Sequence, residues 1–133
     1  MIKYKSGYKY ILAERYSIDL PIRVRVQHDF MSLDLNGKLT IERGYVWDGA
    51  SGPTWDDKHN MRGSLVHDAL YQMMREGLLS QNYYHLANEI FRIILLEDGM
   101  SRIRAWLYYR GVETSIARVS STPAGRRRIE TAP

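Results

Sequence analysis

The chain of 133 residues contains no cysteine. That absence excludes disulfide scaffolds, thiolate nucleophiles, iron–sulfur clusters and the zinc sites that need thiolate ligands, leaving oxygen and imidazole chemistry. Long apolar runs are missing as well. The longest, over residues 90–96, is interrupted by Arg92 and falls short of the roughly 18 residues that a membrane span needs. The opening Met1-Ile2-Lys3-Tyr4-Lys5-Ser6 has no apolar stretch or small-residue cleavage site behind its basic residues, so no secretory signal is expected there. A soluble protein made and folded in a cytoplasm is the simplest expectation.

What is present suffices for a core: 44% of the residues are hydrophobic and 26% charged, at a length typical of one domain. The net charge of +4 is unevenly spread. All five lysines lie at or before Lys58, whereas the region from Ser101 onward holds seven arginines against Glu113 and Glu130, a surplus of +5. The first hundred residues are then near −1. A basic C-terminal region suits an acidic protein partner, and it also admits nucleic acid or phosphate through Arg126, Arg127 and Arg128.

The first half has the two-residue period of half-buried strands: Tyr8, Tyr10 and Leu12 alternate with Lys9 and Ile11, and Ile22, Val24 and Val26 with Arg23, Arg25 and Gln27. Asn36-Gly37, between two apolar runs, predicts a hairpin because both positions tolerate positive φ. Four to five strands are expected up to Trp47. From Trp47 to Gly63 the pattern breaks into turn-forming residues, predicting a loop of about sixteen residues, a length that is often functional.

The second half has helical spacing. Leu65, Val66, Ala69, Leu70, Met73 and Met74 mark one apolar face, with Ser64 as the expected N-cap and Gly77 as the stop. Ser80 is placed to cap a second helix bearing Leu86, Ala87, Ile90, Phe91, Ile94 and Leu95. Ser101 is placed to cap a third, whose apolar face is read as Ile103, Trp106, Leu107 and Tyr109. Strands followed by helices predict an α+β fold, an N-terminal antiparallel sheet or meander followed by three packed helices. The expected organisation is a single domain over residues 1–119 and a basic tail over 120–133.

Polar side chains with chemical potential gather in two stretches. Trp47-Asp48-Gly49-Ala50-Ser51-Gly52-Pro53 occupies the long loop, and Val66-His67-Asp68-Ala69-Leu70-Tyr71 lies on the first helix. His67 and Tyr71, four residues apart, share a face, and Asp68 lies ~100° round from His67. An inward imidazole needs partners for its ring nitrogens, and a carboxylate such as Asp48 would serve.

Together with Ala87-Asn88-Glu89-Ile90-Phe91 and Gly99, these stretches make residues 44–112 resemble the small phage- and prophage-associated family of unknown function 1353. The resemblance implies a bacteriophage or integrated-phage origin, hence the host cytoplasm during infection or the virion itself. It carries no established activity. Where the family's third element usually reads Ala-Asp, this chain has Asn88.

Several readings of the cluster follow. In the first, His67, Asp48 and Asp68 hold a divalent metal, zinc or manganese, and activate water for hydrolysis, while Ser51, Trp55, Tyr71 and Asn88 line the substrate side. In the second, Ser51 is a nucleophile with His67 as its base, although Gly49-Ala50-Ser51-Gly52 is one residue short of Gly-x-Ser-x-Gly. Asp48 and His67 could also act as a metal-free acid–base pair. The non-catalytic reading makes the same groups a polar latch, with the basic C-terminal region docking on a phage or host protein in virion or tail assembly. Binding of a phosphorylated ligand without turnover is a further class.

Overall fold

Antiparallel strands come first and helices after them, the α+β order expected from the change of period. The computed structural model describes residues 4–5, 10–47 and 58–114. They belong to two compact units, residues 1–49 and 50–133. The expected tail and most of the expected long loop, residues 48–57, lie outside the described residues.

In the first unit, β1 (Tyr4–Lys5), β2 (Tyr10–Leu12) and β7 (Val46–Trp47) form a three-stranded antiparallel sheet in the order β1-β2-β7. A second sheet, in the order β3-β6-β5-β4, is built from β3 (Tyr16–Asp19), β4 (Val26–Gln27), β5 (Met31–Leu33) and β6 (Lys38–Ile41). The described residues thus hold seven short strands in two sheets, where four to five were expected. Only Val26 and Gln27 of the alternating stretch around Ile22 pair as strand, although Ile22 is buried as its alternation predicts. Period 2 alone fixes which side chain points inward, whereas a strand also needs a partner within bonding distance. Along β6, Leu39 and Ile41 are buried, and Ile41 faces Tyr16 on one neighbour and Met31 on the other.

The Asn36-Gly37 hairpin joins β5 to β6, by a different turn from the one expected. Gly37 has φ +90°, while no described non-glycine residue has a positive φ, so Asn36 does not share the left-handed region. Asp34 braces the turn, its Oδ1 accepting from the backbone amides of Asn36 and Lys38, both at 2.9 Å. A longer hairpin turn with a single left-handed glycine results. A Cβ on Gly37 would lie 2.1 Å from the Leu20 carbonyl oxygen. Gly37→Ala is therefore expected to destabilise the first unit by about 1–3 kcal/mol, through strain and this backbone clash. Urea unfolding followed by strand amide exchange measures it, and an unchanged midpoint would refute the geometry.

In the second unit, α1 (Met61–Arg75) leads through a 3-10 turn (Gln81–Tyr83) to α2 (Tyr84–Glu97) and α3 (Arg102–Val112). The expected face of α1 is buried throughout, together with Met61, Gly63, Ser64, His67 and Tyr71. The helix begins before its expected cap. Ser64 lies inside the first turn and donates its hydroxyl to the Met61 carbonyl at 3.0 Å. Asn60 occupies the N-cap position without a side-chain cap bond, its Nδ2 donating instead to the Tyr108 hydroxyl at 3.2 Å. Gly77, at φ +75°, turns the chain after α1 as predicted.

Ser80 caps the 3-10 turn that feeds α2, and Ser101 caps α3 by accepting from the Arg104 amide at 3.2 Å. α1 and α2 meet at Gly63, where a Cβ would come within 3.1 Å of the Phe91 ring. The seam between α2 and α3 contains Phe91, Leu95, Met100, Ala105, Tyr108 and Val112. That corrects the reading of α3: Ala105, Tyr108 and Val112 face the core, while Ile103, Trp106 and Leu107 are exposed. α3 also runs through Gly111 to Val112.

Candidate functional site

Helical spacing brings His67 and Tyr71 one turn apart on the buried face of α1, and their rings lie 4.1 Å apart between centroids. The Phe91 ring of α2 stands 4.9 Å from the His67 ring. Asn88, one turn earlier on α2 and fully buried, reaches into the same seam. Its Oδ1 accepts from His67 Nε2 at 2.7 Å and from the Tyr71 hydroxyl at 2.8 Å. Its Nδ2 donates to the Val112 carbonyl at 3.2 Å and to Glu113 Oε2, both at the end of α3. One amide therefore ties α1, α2 and α3.

Four neighbours determine the orientation of the Asn88 amide. The Val112 carbonyl and the Glu113 carboxylate only accept, so the NH2 group must face them and the oxygen must face α1. An amide oxygen cannot donate, which places a proton on His67 Nε2. With 6% of its surface exposed, the imidazole is desolvated. Burial lowers its pKa from 6.5 to about 4 against the opposing effect of the Asn88 bond, with the Arg75 charge lowering it further. At neutral pH the ring is uncharged, and Nδ1 carries the free lone pair.

The neighbouring groups hold fixed states too. Burial, with the Glu113 charge acting in the same direction, pushes the Tyr71 phenol up to about 12, keeping it a donor. For Glu113, burial works against ionisation, but hydrogen bonds from Asn88, His85 and Tyr109 more than offset it and hold its carboxyl below the usual range. His85 Nδ1 lies 2.8 Å from Glu113 Oε1, and the Tyr109 hydroxyl donates to that oxygen at 3.2 Å. The network thus runs from a buried imidazole to a half-buried carboxylate at the surface.

Of the residues singled out from sequence, His67, Tyr71 and Asn88 come together. Asp68 follows His67 on α1 and is half-buried. Asp48, Ser51 and Trp55 lie outside the described residues. Among the described residues, no group of three or more His, Asp or Glu side chains has the spacing of a metal site. Sequence reasoning missed Glu113, His85, Tyr109 and the Val112 carbonyl. The available signal was Glu113 itself, one of two acids in a region of seven arginines.

No helix among the described residues is long and apolar enough to cross a membrane. Comparison with curated proteins and with solved structures finds no match for this chain. The model of one family, described as a protein of unknown function (DUF1353), matches residues 24–112, from β4 through the three helices to the Val112 carbonyl that Asn88 holds, and the chain belongs to that family.

Proposed function

We propose that the His67 cluster is a structural latch and that the chain works without turnover, as a phage-encoded accessory component that assembles on a protein partner. The observation that supports this reading is the saturation of Asn88. Its oxygen takes two donors and its nitrogen meets two acceptors, drawn from α1 and from the end of α3. Such an amide has no capacity left for substrate, and its partners are needed where they are. The arginine surplus after Ser101 supplies the affinity for an acidic partner, in the host cytoplasm or in the particle.

A second reading, metal-assisted hydrolysis through Asp48, His67 and Asp68, draws on one observation. An imidazole that stays neutral above pH of about 4 and donates Nε2–H to an oriented oxygen is prepared to offer Nδ1 to zinc or manganese. Metal titration separates the two. The latch reading expects the melting temperature to stay unchanged by Zn²⁺ or Mn²⁺. Saturable binding would instead stabilise the fold by about 2.7 kcal/mol at a hundredfold excess over Kd, and such a rise, abolished in Asp68→Asn, would establish the metal site.

A further inference from the structure

The outward face of α3 is more apolar than the face it buries. Ile103, Trp106 and Leu107 are 75%, 49% and 57% exposed, while the core receives Ala105, Tyr108 and Val112. At 100° per residue the three exposed side chains fall into one stripe opposite the buried one, with Arg110 continuing it. Arg102 and Arg104 flank the stripe on its two sides, and both are exposed. The Arg110 guanidinium lies 5.8 Å from the Trp106 ring centroid, in cation–π range. No acidic residue occurs between Arg102 and Val112. The nearby Glu97 and Asp98 are both held by Arg62, at 2.7 and 3.0 Å.

We propose that this face of α3 is a docking surface for an acidic, amphipathic helical segment of a partner protein. The inference rests on the assembly reading above and names the surface and the chemistry of what covers it. Exposed apolar side chains grouped on one face mark an interaction site. Trp and Arg are the residue types that concentrate binding energy in protein interfaces. Three guanidiniums around an apolar stripe match carboxylates flanking apolar anchors, to which a guanidinium donates in bidentate geometry. A second copy of this chain is a poor occupant, because pairing two such faces would oppose six guanidiniums with no carboxylate between them. An anionic membrane is also disfavoured, because the stripe spans two turns and ends at Gly111, a small apolar area for interfacial binding.

The test uses the full chain and a fluorescently labelled synthetic peptide with leucines at helical i, i+3, i+4 and i+7 spacing, flanked by glutamates. Binding is followed by anisotropy. Binding that weakens at least about tenfold in Ile103→Ser/Leu107→Ser and in Arg102→Glu/Arg104→Glu, with melting temperatures unchanged, is the expected result. Weakening with added salt is expected too. Absence of binding at peptide concentrations up to about 1 mM overturns the proposal, as does equal binding by the variants. Preferential binding to phosphatidylserine vesicles, or dimerisation lost in the same variants, also overturns it by assigning the face to a membrane or to a second copy. None of these failures touches the latch reading, which fails separately if metal binding is found.

Discussion

Asn88→Leu is expected to lower the stability of the helical unit by about 3–9 kcal/mol, because three buried groups lose their partner at about 1–3 kcal/mol each. The three are His67 Nε2–H, the Tyr71 hydroxyl and the Val112 carbonyl. Tyr71 keeps only a long contact of 3.5 Å to the Val112 carbonyl. Whole domains are stable by about 5–15 kcal/mol, so the loss removes a large share of the total. Urea unfolding followed by helical circular dichroism is the measurement. A midpoint within error of wild type would show that the Asn88 amide does not tie the helices.

The second large effect is on pH. His67 titrates near 4 in the folded chain and near 6.5 when unfolded, so between those values the unfolded chain binds the extra proton. Stability attributable to this group is therefore fully present above pH 6.5 and falls as the pH drops to about 4, by about 3 kcal/mol in all. Glu113 adds to the loss at the lower end. Its pKa is lowered from 4.5, so its contribution is present above the unfolded value and disappears as the carboxylate protonates. His67→Gln keeps a donor facing Asn88 but removes the titration. Its stability between pH 6.5 and 4 should depend on pH less steeply than that of wild type, by up to about 1.4 kcal/mol per pH unit. Parallel curves for the two proteins would show that His67 is not desolvated.

The order of strands and helices was legible because two periods, 2.0 and 3.6, occupy separate halves of the chain. The burial of α1 followed directly from Leu65, Val66, Ala69, Leu70, Met73 and Met74, all of which are interior. α3 was misread for a physical reason. Hydrophobicity favours Ile103, Trp106 and Leu107, but a close helix seam selects by size and shape. Ala105 lets the backbones approach, and Tyr108 fills the seam with its ring while its hydroxyl meets Asn60. Ser64 was a reasonable cap by residue type alone, yet the helix had already begun at Met61.

Within the site, spacing along one helix was enough to pair His67 with Tyr71. Asn88 was recognised as polar support but not as the centre, since an amide's importance depends on how many partners surround it. Glu113 became part of the site only because the end of α3 returns beside α2, 25 residues from Asn88. Contacts at that separation have no local signature in sequence.

The Asn60 bond to Tyr108 has a consequence for the nascent chain. The residue that would close the first turn of α1 instead waits for a hydroxyl 48 positions later. At about 5–20 residues per second, that partner emerges roughly 2–10 s after Asn60. Until then this tie between the start of α1 and α3 stays open, and it closes only once α3 has been made.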